Sequence, residues 1–241
     1  MSHSIKKTIK KFPLPDKIKP FLRRIFKPAL LYLINLNTTP LSHYYGLDRG
    51  KPIDRFYIES FLEKNSKHIK GVCLELLNNN YTKKYGGKEI IKSDILDIEQ
   101  NNQDATIVDD LRNLQTISDN TYDCIILTQV FQFIDNVESA VFECRRILKK
   151  GGVLLVTLPS ISRIDCIAGV AGDFWRFTEA SARYIFEKKF NPNGLEINSY
   201  GNAKTGMYFY AGLAQEDVAK KIFRNNDKNF PVIITVKAIK Q

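Results

Sequence analysis

Acidic residues stand near the ends of several apolar runs in this chain. Glu75 lies toward the end of the run Val72–Leu77. Asp94 follows Glu89–Lys92, 19 residues beyond Glu75, and Asp109 and Asp110 follow Ala105–Val108. A strand-end carboxylate accepts two hydrogen bonds at once, and an acid at about this spacing suits the hydroxyls of a ribose. Asp97 competes with Asp94 for that role, and Asp94 also reads as a turn carboxylate facing water. Further on, Asp173-Phe174-Trp175-Arg176 follows the apolar run Val153–Leu158. Trp175 offers a flat face for a sugar, and Arg176 a forked donor for a carboxylate or phosphate. The opposing reading packs Trp175 on the helix that follows and pairs Arg176 with Asp173.

These residues need a frame. Cys124–Leu127 and Val153–Leu158 are short, branched and bounded by turn residues, as strands buried on both faces of a parallel sheet are. Between them Val137, Val141 and Ile147–Leu148 recur at helical spacing, with Lys149 and Lys150 in the last turn and Gly151-Gly152 as the stop. Strands are also expected at Val72–Leu77, Glu89–Lys92, Ala105–Val108, Leu195–Tyr200 and Val232–Ile239. Helices are expected from about Ile53 to Ser66, Tyr81–Tyr85, Thr178–Phe190 (with Thr178 as N-cap) and Gln215–Phe223. Gly201-Asn202 and Gly206 read as loops.

Tyr122-Asp-Cys-Ile-Ile-Leu followed by Arg146-Ile-Leu-Lys-Lys-Gly-Gly-Val-Leu-Leu-Val resembles the fourth and fifth strands of class I S-adenosylmethionine-dependent methyltransferases. It is most similar to the methyltransferase type 11 group, in a bacterial subgroup whose glycine loop has degenerated. The resemblance covers about residues 44–240. It implies an α/β, Rossmann-like class I methyltransferase fold: a mostly parallel seven-stranded sheet flanked by helices, ending in an antiparallel pair, with an N-terminal helical arm. Two units follow, a basic and apolar arm over 1–43 and the methyltransferase-like domain over 44–241. The implied cofactor is S-adenosylmethionine. Its candidate contacts are Glu75, Leu77, Asn79, Asp94, Asp110, Leu111 and Thr128, with Asp110 accepting from the adenine amino group. Asp109 alternatively caps the turn. The family's three glycines are replaced by Leu77, Asn79 and Tyr81. Asn79 can take positive φ in partial substitution, whereas Leu77 cannot offer a glycine's close approach; the run Asn78–Asn80 also reads as a loop without a ligand.

The stretch Tyr44–Arg55 resembles one found ahead of the cofactor domain in that subgroup, and Gly172–Thr178 one found in methyltransferases of glycan pathways. They add Tyr45, Arg49, Arg55, Trp175 and Arg176 as substrate contacts. Local ion pairing of Asp48, Arg49, Asp54 and Arg55 is the alternative for the first stretch. The implied activity is methyl transfer to a hydroxyl or carboxylate of a small or sugar-like acceptor. This chemistry needs placement and at most a weak base; Gln129, Asp173 and Asp48 are the candidates. The rival is a catalytically silent binding or scaffold protein of the same fold, which the missing glycines favour and the retained Asp94 and Asp110 oppose.

The net charge is +10, but residues 1–30 hold nine Lys or Arg against Asp16 alone. A basic field spread over the chain is absent, so nucleic acid is not an expected partner. The arm is expected to form two short helices, about Asp16–Phe26 and Pro28–Leu36, that cap the domain, contact a partner protein or lie on an acidic membrane surface; a poorly ordered leader is the alternative. Cys73 and Cys124 sit in apolar runs, and the three His make no ligand spacing. Buried thiols, a reducing cytoplasmic location and no metal are therefore expected.

Overall fold

A computed structural model describes residues 38–241. The two helices expected in the arm, and the expected membrane or partner contact, lie outside the described residues. Seven strands form one sheet in the order β3-β2-β1-β4-β5-β7-β6: β1 Gly71–Leu76, β2 Ile90–Asp97, β3 Ile107–Val108, β4 Tyr122–Thr128, β5 Leu148–Pro159, β6 Leu195–Tyr200 and β7 Ile233–Ile239. β3, β2, β1, β4 and β5 run parallel, while β7 is antiparallel to both β5 and β6. This is the expected fold.

Side chains alternate between the faces of the central strands. Ile125 and Leu127 of β4 and Leu154, Val156 and Leu158 of β5 enter one core. Cys124, Ile126, Val153 and Leu155 enter the other. Both faces are therefore buried, which explains why these strands read as continuous apolar runs. On the first face lie α3 (Val137–Ile147) and α5 (Glu179–Phe186); on the second lie α1 (Ile53–Lys64) and α6 (Ala203–Tyr210). The α2 (Asn80–Gly86) helix follows β1, and α4 is the four-residue helix Gly169–Gly172. Asn136 caps α3 through Ser139 N, and Thr178 caps α5 in a reciprocal box with Ser181. Each such cap is worth about 1 kcal/mol.

Several elements differ from the sequence expectation. α3 stops at Ile147, and Leu148, Lys149 and Lys150 already belong to β5; Lys149 pairs with Asp123 of β4 at 2.7 Å instead of serving the helix end. Gly206 lies in α6, which Asn202 caps through Thr205. The segment Gln215–Phe223 forms two short 3₁₀ turns, not one helix. β2 runs to Asp97, well past Lys92. Its polar residues are no break, because Thr106 and Tyr122 supply hydrogen bonds to Asp94.

Candidate functional site

The turn leaving β1 shapes the end of the sheet. Leu77 adopts φ +65°, and Asn78 N donates to Leu76 O at 2.8 Å. An i→i+2 bond around a left-handed centre is the rare, strained γ-turn. The left-handed residue is thus Leu77 and not Asn79, whose φ is −115° at the start of α2. Side chains hold the turn. Asn102 Nδ2 donates to Leu77 O at 3.0 Å, and Asn78 Oδ1 accepts from Asn80 N. Glu75, only 4% exposed, accepts from Thr82 N at 2.8 Å, Thr82 Oγ1 at 2.9 Å and Tyr81 N at 3.3 Å. Its carboxylate therefore satisfies the first N–H groups of α2. Burial pushes the Glu75 carboxyl up despite these bonds.

Beside this turn lies a cavity of about 430 Å³, within the ~300–1,000 Å³ span of small-molecule sites. Glu75, Leu77, Arg55 and Thr128 meet there, with Glu59, Tyr81, Lys84, Ile126 and Val130. Leu77 lines the cavity yet is 60% exposed, so it does not fill it. Arg55 donates to Tyr81 Oη at 3.0 Å. Lys84 and Lys51 both bind Glu59, at 3.0 and 2.6 Å. One wall is thus charged with both signs, and the floor is apolar. Arg55 and Glu59 share a face of α1 by i, i+4 spacing, a signal the sequence reading left unused for Glu59.

The acid at the end of β2 is Asp97, not Asp94. Parallel register sets Asp94 beside Leu74, one residue before Glu75 and so on the opposite face of the sheet. The Asp94 carboxylate is buried and bound by Lys92 Nζ at 2.9 Å, Tyr122 Oη at 3.1 Å and Thr106 Oγ1 at 3.2 Å. Burial and Asp94 together push the Tyr122 phenol up, keeping it a donor. Asp97 holds Glu99 N at 3.0 Å and Asn102 Nδ2 at 2.6 Å, one bond on each oxygen, so each keeps an acceptor site free.

Asp110 is engaged as well. Arg112 forks onto it at 2.6–3.1 Å and reaches Asp135 at 2.8 Å. Asp109 caps the turn by accepting from Gln115 N, Thr116 N and Thr116 Oγ1. Leu111 is buried in the core.

The other expected contacts divide into separate networks. Asp173 is held in an ion pair: Arg176 grips it through both terminal nitrogens at 2.6 and 3.0 Å, and Asp165 N donates to it at 2.9 Å. Arg176 spends five donors, on both Asp173 oxygens and on the carbonyls of Ser162, Arg163 and Trp175. Every N–H of Arg176 is thus engaged within the protein, and Asp173 keeps an acceptor site on Oδ1 alone; this pairing is the opposing reading of the two residues rather than an anion site. Tyr45, at φ +58°, donates to Asp165 at 3.1 Å under the Arg163 guanidinium. Burial first, then Asp165, pushes its phenol up. Arg49 binds Asp217 at 2.8 Å. Asp48 accepts from Ser42 Oγ, which fixes the loop by also accepting from Tyr44 N and Gly46 N.

Gln129 sits just past β4 at φ +57°, flanked by the cavity residues Thr128 and Val130. Trp175 donates to Ile134 O at 2.8 Å. Its ring, 42% exposed, shares with Tyr184, Asp135 and Glu138 a second cavity of about 480 Å³.

Residues 70–156 match the methyltransferase-domain family. No curated protein matches the chain. Among solved structures, a SAM-dependent methyltransferase from Archaeoglobus fulgidus aligns at 13% identity over 77% of this chain and 94% of its own, with a TM-score of 0.53. A phosphoethanolamine N-methyltransferase from Haemonchus contortus, solved with phosphomonomethylethanolamine and S-adenosylhomocysteine, aligns at 12% identity over 95% of this chain and 61% of its own, with a TM-score of 0.51. A chain of the Haloferax volcanii complex between the Trm112 methyltransferase activator and a methyltransferase aligns at 16% identity over 78% and 94%, with a TM-score of 0.50. At these identities the likeness is one of fold.

Proposed function

We propose that this chain, whose residues 70–156 match the methyltransferase-domain family and whose fold is shared with a SAM-dependent methyltransferase, is itself S-adenosylmethionine-dependent, holds that cofactor in the cavity beside Leu77 and methylates an oxygen of a small or sugar-like acceptor. The observation that carries the reading is the turn itself. A leucine takes the left-handed conformation that a glycine would take freely, and the cavity beside it stays open.

The cavity's chemistry suits the ligand. Arg55 and Lys84 face its carboxylate end, Glu59 and Glu75 its ammonium. Asp97 does not line the cavity but is tied to its Leu77 rim through Asn102, and it is the candidate for the ribose hydroxyls, with an acceptor site free on each oxygen. Leu76, Ile126 and Val130 cover the apolar remainder. Bound there, the cofactor supplies an electrophilic methyl group. The chain's own work is to place an acceptor oxygen in line with it and to keep water out. Gln129, at the end of β4, orients the acceptor as a hydrogen-bond partner; an amide cannot serve as base. Trp175 and Tyr184 flank the cavity that takes a sugar-like acceptor.

The test is calorimetric titration of S-adenosylmethionine and S-adenosylhomocysteine into the full chain, with Arg55→Ala and Glu59→Ala alongside. Micromolar binding that both variants weaken supports the reading. Absence of binding, or binding that neither variant alters, rejects it and leaves the silent relative.

A further inference from the structure

We propose that this protein docks peripherally on an anionic lipid bilayer, through a face built from the outer side of α6, the loop 160–172 and the connection between β6 and β7. Single exposed apolar residues are ordinary on any surface; what marks this face is their concentration. On α6, Lys204, Met207 and Tyr210 follow one another at three-residue spacing and all point outward, so they share one stripe of the helix. Met207 is 64% exposed and Tyr210 56%. With Ile164 and Phe230 they line a largely apolar groove of about 890 Å³. The loop carrying Ile164 continues to Ile167 and Val170, which are 93% and 88% exposed. Two aliphatic side chains left almost wholly in water around a four-residue helix have no purpose in the fold, since neither belongs to a core.

The charge beside this apolar face decides its partner. Asn202 lines the groove and also a neighbouring hollow that contains Lys204, Lys221 and Lys228. None of these lysines makes an ion pair with a described residue. The one acid in that hollow, Asp227, accepts from Asn229 N. Thr38 and Thr39 lie on the groove's rim, so the chain enters the domain here, and the 30 residues that begin it carry nine further cations. Exposed aliphatic and aromatic residues bordered on one side by lysines fit the boundary between headgroups and acyl chains, where the first gain by burial and the second by the surface potential. A nucleic-acid surface would use the lysines but gain nothing from Ile167 and Val170.

Sedimentation of the full chain with phosphatidylcholine vesicles, with and without phosphatidylserine, tests this. Three compared variants are the wild type, Ile167→Asp/Val170→Asp, and Lys204→Gln/Lys221→Gln/Lys228→Gln; all changed residues are exposed, so circular dichroism should show an unaltered fold. Expected are binding only to vesicles containing phosphatidylserine, loss of that binding at high salt, and weakening of about 100-fold in the lysine variant at the usual increment per cation. The aspartate pair should weaken it at least tenfold. Absence of binding to anionic vesicles overturns the proposal. So does binding that both variants leave unchanged, which would assign it to the leader alone, or binding that the lysine variant loses and the aspartate pair keeps, which would point to a polyanion such as RNA.

Discussion

Replacing Leu77 by alanine and by glycine separates backbone strain from side-chain contact. A left-handed backbone costs an L-residue about 1–2 kcal/mol, and Leu77 bears that cost at φ +65°. Glycine is free of it but loses about 0.5–1 kcal/mol of extra chain entropy on folding. Glycine should therefore exceed alanine at this position by about 0.5–1 kcal/mol, the reverse of their order in a strand or helix. Because the leucine is 60% exposed, truncation forfeits somewhat under half of the ~2 kcal/mol a buried leucine gives, or roughly 0.8 kcal/mol. Leu77→Ala should fall below the wild type by about that much, and Leu77→Gly should lie close to it. In a domain of this size the two variants should differ in melting temperature by about 2–3 °C, with urea midpoints in the same order. Glycine should also tighten S-adenosylhomocysteine binding by removing the Cβ next to the cavity. An alanine variant more stable than the glycine variant would show that Leu77 does not hold the left-handed conformation, and the account of the turn would fail.

Asp97→Ala should lower S-adenosylhomocysteine affinity at least tenfold in a calorimetric titration and, by releasing Glu99 N and Asn102, cost about 1 kcal/mol of stability. Asp94→Ala should instead leave the Tyr122 and Thr106 hydroxyls unpaired in the interior and cost about 1–3 kcal/mol in urea denaturation, with affinity nearly unchanged. Arg176→Ala strands the Asp173 carboxylate, whose side chain is 2% exposed, so it should cost about 3–5 kcal/mol, and Asp173→Asn in the same chain should recover part of that loss in a double-mutant cycle. Glu196 lies opposite Lys237 across β6 and β7, and that lysine holds its carboxyl below its ordinary value of 4.5. The pair therefore stabilises the protein fully above that value and ceases to as pH falls through the lowered one. Glu196→Gln should flatten this acid limb of the melting curve by about 0.5 kcal/mol, since the site is largely solvated.

The sheet was legible because its central strands are buried on both faces, and such strands need unbroken apolar runs, as Cys124–Leu127 and Val153–Leu158 show. β2 was less legible. Its Ser93-Asp94 pair has the composition of a turn, yet it continues the strand because Thr106 and Tyr122, distant in sequence, supply hydrogen-bond partners inside the protein. That misplaced end put the strand-end acid at Asp94, with Asp97 as its competitor, whereas the strand itself ends at Asp97. Gly206 misled in the same way: a glycine in a helix has only its propensity to announce it, while the reciprocal cap between Asn202 and Thr205 fixes the helix. Asp173 and Arg176 were visible as a pair in the sequence, three residues apart, but nothing there shows that Arg176 also meets three backbone carbonyls and has no donor left over.

The turn after β1 shows what a left-handed leucine costs and how this chain offsets it. A glycine permits a left-handed turn by having no side chain to object, so the conformation needs no further support. A leucine in that place must be held, and strained conformations persist where their surroundings over-determine them. Here Glu75 ties the start of α2 down, Asn102 fixes the Leu77 carbonyl and Asp97 together, and Asn78 closes the turn on both sides. All these bonds are made by the protein itself. The floor of the cavity is therefore set before any ligand arrives, and binding there should carry little of the ordering cost that a flexible glycine loop would add.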